Sequence, residues 1–457
     1  MVARKYEIDM SKGSILKNML FFAFPLMLSN ILQLLYNAAD TIVVGRWGGP
    51  DCLAAVGATG TLTTLLVNVF VGLSIGASVA VSRKYGAGDM VGLHKAAHTT
   101  VALGIIVGFA SMIVGQLACR PVLRLMGTPV DIIDLSVLYM RIIFVGVPAQ
   151  MVYNFGAAIL RSVGDTRRPL YILSVTGIVN VFLNLILVIG FGMDVAGVAI
   201  ATATAHYLSA VAIMYSLVFS DTPYRINFKK LKIYVDEAKE IISVGIPAGL
   251  QSAVYNLSNM VVQSSVNSFG TATMAGRTAA GNIESFVYTS MNAFYQATMT
   301  SVGQNYGSKC ERRIYKTILT GILCASVAGS VLGFLTYAFA PFLLSFYISS
   351  DVKNYAKVIE EGVVYMVVVG LPYFLCGIQD VLTGTLRGLG HSKIPAANSF
   401  IGACGFRLIW IFLILPHNHT TWFLYLCWPL SWIIIITMHL CTFFAIRKRS
   451  IEKMHVQ

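Results

Sequence analysis

Residues 15–43, ILKNMLFFAFPLMLSNILQLLYNAADTIV, decide the fold class, because this apolar run is long enough to cross a bilayer as a helix. One acid, Asp40, lies near its end, six residues before Arg46. At 1.5 Å per residue, Asp40 is expected about 9 Å inside the outer end of the helix. A charge at that depth costs about 2.5 to 3.5 kcal/mol on insertion scales, so we expect Asp40 to face a cavity and to have a function.

The composition places the whole chain in a membrane. Of its 457 residues, 56% are hydrophobic and only 12% are charged, and the mean hydropathy is +0.72. This leaves too little polar surface to cover a soluble globule. We predict an all-α integral membrane protein with twelve transmembrane helices. The predicted spans are residues 15–43, 53–82, 96–118, 136–160, 170–191, 195–220, 240–268, 278–305, 317–344, 362–386, 395–415 and 421–446.

The second half of the chain repeats the first. Phe24-Pro25 aligns with Ile246-Pro247 at a shift of 222 residues, and similar shifts align several later motifs. Six helices per half is an even number, so both halves enter the membrane in the same orientation. Duplicated halves around a buried ionisable group are typical of secondary transporters. We predict two parallel-repeat six-helix lobes, at residues 1–220 and 240–457, joined by a cytoplasmic linker at 221–239.

The basic residues predict the topology. Of the 33 Lys and Arg, 25 fall on the side of the N-terminus, 7 fall on the other side, and Arg407 lies inside a helix. Basic residues are retained in the cytoplasm, so both termini of this multi-pass protein of the cytoplasmic membrane are expected there. The net charge of +13 is dispersed over short loops, which argues against a nucleic-acid partner. We expect a monomer whose partners are the lipid bilayer and a small organic substrate.

Polar side chains are predicted to surround Asp40. Tyr36 lies one turn earlier on the same helix, Asn180 and Asn184 share one face of helix 5, and Thr202 lies in helix 6. Oxygen ligands around one carboxylate suit H⁺ or Na⁺, with Na⁺ possible at the Asp and the two Asn. The alternative is that the amides and hydroxyls only hold the helices together. The eight Cys have no C-x-x-C spacing and no metal cluster stands out, so no cofactor is expected.

Further polar residues are predicted inside the membrane, and two prolines are candidate hinges. Asp380 aligns with Asn154 in the repeat, and Asp380 or Glu284 could face water or pair with Arg407. A proline inside a helix removes one backbone hydrogen bond and permits bending, although a static kink is equally consistent. The substrate-cavity candidates are Asn154, Glu284, Asp380 and Arg407, and the hinge candidates are Pro25 and Pro247.

Several motifs resemble those of multidrug and toxic compound extrusion (MATE) transporters, and the likeness covers nearly the whole chain. The motifs are Asn37-Ala38-Ala39-Asp40-Thr41, Leu160-Arg161-Ser162-Val163-Gly164-Asp165, Val302-Gly303-Gln304-Asn305-Tyr306-Gly307 and Leu386-Arg387-Gly388-Leu389-Gly390. The resemblance implies two six-helix lobes forming a V, which export organic, often cationic and aromatic compounds in exchange for inward H⁺ or Na⁺.

The chain most resembles the DinF-like branch of that family. The resemblance implies ion coupling on the helix 1 acid that Asp40 matches, assisted by Tyr139, Asn180 and Thr202 at the matching places. Many relatives carry a second acid four residues after the helix 5 Asn, where this chain has Asn184. The other main branch has an acid at the position of Cys376, one turn before Asp380.

We therefore predict a secondary active antiporter that is not an enzyme. The alternative is a flippase for lipids or lipid-linked oligosaccharides, which share the same superfamily. A flippase for a pyrophosphate headgroup would need several basic residues in its cavity, whereas three acids and only Arg407 are predicted inside. This charge balance favours a cationic cargo. No nucleophile motif, metal-ligand cluster or phosphate-binding Gly loop indicates catalysis.

Overall fold

A computed structural model describes residues 6–348 and 354–456 of the chain. Within these ranges the secondary structure is helical and contains no strand. Twelve long helical segments occur in the described ranges, in the order α1 (Ile15–Val43), α2 (Gly49–Gly86), α3 (Met90–Leu125), α4 (Val130–Ser162), α5 (Arg167–Asn184), α6 (Asp194–Val218), α7 (Val235–Asn267), α8 (Thr271–Gly307), α9 (Glu311–Ala338), α10 (Tyr355–Gly388), α11 (Lys393–His417) and α12 (Cys427–Val456).

The prediction of twelve membrane helices is confirmed, and each predicted span coincides with one of them. Most helices extend a turn or two past the apolar run, because polar residues continue and cap them outside the hydrocarbon. For example, α3 begins at Met90, where the Asp89 side chain accepts a hydrogen bond of 2.8 Å from the Gly92 amide. The ninth span is wrong at its end: α9 stops at Ala338, and a separate short helix, Ala340–Ser345, follows with a proline in its first turn.

Eight helical stretches among the described residues are long and apolar enough to cross a membrane by length and composition alone. Large apolar side chains also remain exposed along them, such as Phe182 (62% exposed), Val211 (67%) and Leu319 (67%). Such surfaces are stable in contact with lipid and costly in water. The chain is a multi-pass membrane protein.

The described backbone separates into two compact units. The first comprises Met1–Asp9 and Phe24–Gly249, and the second comprises Met10–Ala23 and Leu250–Gln457. The boundaries inside α1 and α7 fall within three residues of Pro25 and Pro247, the two candidate hinges. The division into residues 1–220, 221–239 and 240–457 stays a prediction, as does the hinge role of both prolines.

Close approach of helices in the first unit depends on glycines. The ring of Tyr36 in α1 lies directly on Gly177 in α5, where any Cβ would overlap it. The Tyr36 hydroxyl also donates a hydrogen bond of 3.2 Å to the carbonyl of Ser174. The backbones of α2 and α7 are also in direct contact, at Gly72 and Gly249, where a Cβ would overlap the opposite backbone. Small residues at such crossings are typical of membrane helix packing. The first of these contacts sets α1 against α5 just below Asp40.

Several helices contain or pass into a π-helical turn, and α10 also has a kink. α1 passes into a π-helical turn at Val44–Gly48, and α5 passes into another at Leu185–Gly190, directly after Asn184. α10 has a π-helical turn at Met366–Gly370 and a kink at Pro372, whose φ and ψ are −80° and 16°. Single π-helical turns are frequently found at functional sites.

Candidate ion and substrate sites

Asp40 is the acceptor at the centre of a hydrogen-bonded chain in the first unit. The Asn184 side-chain amide donates to Asp40 Oδ1, and the Thr202 hydroxyl donates to Asp40 Oδ2 at 3.1 Å. Asn180 Nδ2 in turn donates to Thr202 Oγ1 at 3.4 Å. α1, α5 and α6 therefore each contribute side chains to one carboxylate. Because both direct partners are donors, the arrangement suits an ionised carboxylate.

The side-chain oxygen of Asn184 lacks a partner. Asn184 is fully buried, and its Oδ1 has no hydrogen bond among the described residues, although its Nδ2 is bonded to Asp40. A buried amide oxygen without a donor costs about 1 to 3 kcal/mol. A cation or a water molecule beside Asn184 would remove that cost. Among the described residues, no three His, Cys, Asp or Glu side chains are grouped so that they could hold a metal ion.

A cavity of about 80 Å³ opens beside Asp40 within the first unit. It is large enough for several water molecules and too small for a drug-sized compound. Tyr36, Asn154, Asn180 and Thr202 line it with Asp40, so five of the seven polar residues predicted in the first unit lie along it, and Tyr139 and Asn184 do not. The remaining lining residues are Gln33, Asn37, Gln150, Tyr153, Leu173, Thr176, Gly177, Ala205, His206 and Ser209.

Tyr139 is placed differently from the other predicted coupling residues. It is half-buried and packs against an apolar cluster that includes Val44 and Val188. It is not among the described residues that line the cavity. A ligand role for its hydroxyl therefore stays a prediction from the resemblance.

In the second unit, Glu284 is bonded to two tyrosines of α10. Tyr365 donates to Glu284 Oε2, and Tyr373 donates to Glu284 Oε1 at 3.0 Å. A very small cavity of about 10 Å³ lies beside these groups. Among the described ion pairs there is none between Glu284 and Arg407, the pairing considered from the sequence. Glu284 instead accepts hydrogen bonds from two tyrosine hydroxyl groups.

Arg407 and Asp380 are also held separately within the second unit. Arg407 is 2% exposed, and it donates to Ser431 Oγ at 3.1 Å and to Asn259 Oδ1 at 3.0 Å. Asp380 is half-buried and accepts a long hydrogen bond of 3.5 Å from the side chain of its neighbour Gln379. The second unit therefore does not repeat the Asp40 arrangement. A role of Arg407, Asp380 or Glu284 in a substrate cavity remains untested.

Sequence reasoning missed two features. His206 and Gln150 line the Asp40 cavity, and the signal that could have found them is their spacing, with Gln150 one turn before Asn154 and His206 one turn after Thr202. The second feature is a cluster of aromatic rings around Arg277 in the second unit. No spacing along the chain reveals it, because its members come from helices far apart in sequence.

A bundle of membrane-crossing helices with buried acids and an internal polar cavity, built by a duplicated half, defines a membrane transporter. The MatE family model matches the chain twice, at residues 25–186 and 247–413. The two matches begin at the two prolines that the repeat aligns. The chain belongs to the MatE family, the MATE transporters, and is not an enzyme.

Relatives and solved structures agree with this assignment. The chain is 28% identical over 403 residues to the probable multidrug resistance protein YoeA of Bacillus subtilis (strain 168), covering 86% of each. It is 24% identical over 396 residues to a probable multidrug resistance protein NorM of Thermotoga maritima, covering 86% of this chain and 84% of the relative. An outward-facing MATE family transporter structure matches with a TM-score of 0.88 at 23% identity, covering 98% of both chains. These structures support the fold; placement in the DinF-like branch stays a prediction.

Proposed function

We propose that this chain is a secondary active antiporter that exports organic, cationic and aromatic compounds across the cytoplasmic membrane in exchange for H⁺ or Na⁺. It acts as a monomer with both termini in the cytoplasm, and Asp40 binds the coupling ion. The observation that carries the proposal is the position of Asp40, half-buried beside a polar cavity and bonded to donors from two other helices.

Either ion would reverse the hydrogen bond between Asn184 and Asp40. A proton on Oδ1 of Asp40 would need an acceptor at Asn184, and Na⁺ needs oxygen ligands, so in both cases the Asn184 oxygen would turn towards the carboxylate. Because that oxygen now lacks a partner, the rotation exchanges the hydrogen bond from Nδ2 for an interaction of Oδ1. For Na⁺, Asp40, Asn180, Asn184 and Thr202 supply the candidate oxygens.

Ion binding at Asp40 is linked to the packing of α1. Tyr36 fixes α1 to α5 one turn before Asp40, through its ring on Gly177 and its bond to Ser174. Neutralising the carboxylate weakens its charge-assisted bonds to α5 and α6, and Pro25 permits the helix to bend. Coupling requires the ion and the compound to have different affinities for the same set of conformations.

The polarity of the first-unit cavity suits a small cation such as the coupling ion, and its described lining offers no permanent positive charge to a lipid pyrophosphate. Asp40 is accompanied there by amides, hydroxyls and one histidine, and the described lining contains no Lys or Arg. The flippase alternative is therefore kept only as an outcome of the test.

The test is transport of ethidium, a fluorescent aromatic cation, into or out of proteoliposomes with H⁺ and Na⁺ gradients imposed in turn. We expect one gradient to drive accumulation of ethidium, and Asp40→Asn to abolish that accumulation while downhill flux persists. Asp51→Asn is the matched control, since Asp51 is an exposed acid in the first turn of α2. A response to neither gradient would favour the flippase class, and gradient-driven accumulation by Asp40→Asn would exclude Asp40 as the coupling residue.

A further inference from the structure

The second unit contains an aromatic cage that holds the guanidinium group of Arg277. The cage consists of Tyr365, Tyr425 and Trp428. The guanidinium carbon lies 4.3 Å from the ring centre of Tyr365 and 5.5 Å from that of Trp428. The three rings contact each other, with Tyr365 edge-on to Tyr425 at 5.1 Å and to Trp428 at 5.8 Å. Rings at these distances attract a cation through their negative faces.

A carboxylate adds to the negative potential of the cage. Glu284 lies seven residues after Arg277 on α8, which places it two turns further along the same face. It accepts the hydrogen bond from Tyr365, a wall of the cage, and a second one from Tyr373. The ring of Trp428 also lies 5.6 Å from the guanidinium carbon of Arg407, so it attracts cations from two arginines. Aromatic rings combined with a carboxylate are the chemistry that recognises organic ammonium and guanidinium groups.

Arg277 reaches the cage because α8 has no side chain at Gly281. A Cβ at Gly281 would overlap Nη1 of Arg277, and the overlapping atom is the flexible end of the side chain. Nε of Arg277 is buried without a hydrogen-bond partner among the described residues, and no described ion pair includes Arg277. The guanidinium is thus held mainly by ring faces, and another cation could replace it at low cost in hydrogen bonds.

We propose that this cage is a binding site for the charged end of an exported organic cation, and that Arg277 occupies it in the absence of the compound. Arg277 and the compound then compete for the same ring faces, so the affinity for the compound depends on how easily Arg277 leaves. This inference rests on the proposed function, since it takes the cargo to be an aromatic cation. It assigns that cargo a site in the second unit, whereas Asp40 belongs to the first.

The experiment measures the Kd of dansylcholine, a fluorescent compound with a quaternary ammonium group at one end, for the purified full-length protein in detergent, by fluorescence anisotropy and without any ion gradient. Arg277→Gln removes the competitor and should tighten binding about tenfold. Gly281→Ala keeps the charge but displaces the guanidinium, so it should tighten binding in the same direction. Thermal unfolding shows whether Arg277→Gln folds. If it does not, Gly281→Ala alone tests the proposal. Trp428→Leu, combined with Arg277→Gln, removes a wall of the cage and should cancel the gain.

Arg46→Gln is the matched control, because Arg46 is an exposed arginine that lies 5.4 Å from the ring of Trp47 in the first unit. It removes the same charge and should leave the Kd unchanged. The proposal is overturned if neither Arg277→Gln nor Gly281→Ala tightens binding. It is also overturned if the gain survives Trp428→Leu or appears equally in Arg46→Gln, since net charge would then explain it. A failure of ion-driven transport would refute the antiport proposal and leave this binding result standing.

Discussion

Replacing Thr202 by valine should show how strongly the Asp40 carboxylate is held. The change keeps the shape of the side chain and removes its hydroxyl group. Two hydrogen bonds are lost: the one that Thr202 donates to Asp40 at 3.1 Å, and the one that it accepts from Asn180 at 3.4 Å. A neutral hydrogen bond between membrane helices contributes about 0.6 kcal/mol on average, whereas one to a charged group contributes about 1.5 to 3 kcal/mol. Because Asn180 is 4% exposed and also loses its partner, we expect the free energy of unfolding to fall by about 2 kcal/mol.

Thr204→Val is the matched control on the same helix. The Thr204 hydroxyl donates to the carbonyl of Ile200 in its own helix, at 2.7 Å, so its loss should cost less than about 0.6 kcal/mol. Equilibrium unfolding in mixed micelles, followed by the fluorescence of the five tryptophans, gives both values. Equal losses in the two variants, or a loss of less than about 0.6 kcal/mol for Thr202→Val, would refute a charge-assisted bond to Asp40.

Two further substitutions test the surroundings of Asp40. Asn184→Asp places a second carboxylate against Asp40, so in choline chloride the variant should be less stable than the natural chain by up to about 4 kcal/mol. In NaCl, Na⁺ bound between the carboxylates should restore the lost stability. Equal stability of the variant in the two salts would contradict a Na⁺ site. Gly177→Ala pushes the Tyr36 ring off α5 and should lower the free energy of unfolding by about 1 to 3 kcal/mol. Gly57→Ala is the control, because a Cβ at Gly57 would meet no atom within 4 Å, and it should leave the stability unchanged. Equal melting temperatures for the two variants would contradict the tight contact between α1 and α5.

The sequence was sufficient for the architecture because each membrane helix must be long and apolar, and because the repeat aligns the two halves. The sequence also predicted that Asn184 and Thr202 lie around Asp40, as the structure has them. The sequence does not give the direction in which a side chain points around its helix. Tyr139 was assigned to the site from the resemblance alone, and in the structure it packs against the apolar cluster that includes Val44 and Val188.

The same limit explains the second unit. Glu284 and Arg407 were recognised as costly charges, but their partners were not predicted. Tyr373 and Asn259 are ordinary helix residues whose role depends on which helices are neighbours. The cage around Arg277 was missed for this reason, and also because Arg277 lay close enough to a predicted helix end to be counted with the loops.

The most direct test of the central claim, that Asp40 binds the ion exchanged for the compound, is the ion release that accompanies compound binding. Ethidium is added to purified protein in weakly buffered detergent, while a pH dye follows H⁺ and radioactive ²²Na⁺ follows Na⁺. The account predicts release of about one ion per ethidium bound by the natural chain and none by Asp40→Asn. Release of the same quantity from Asp40→Asn would contradict it.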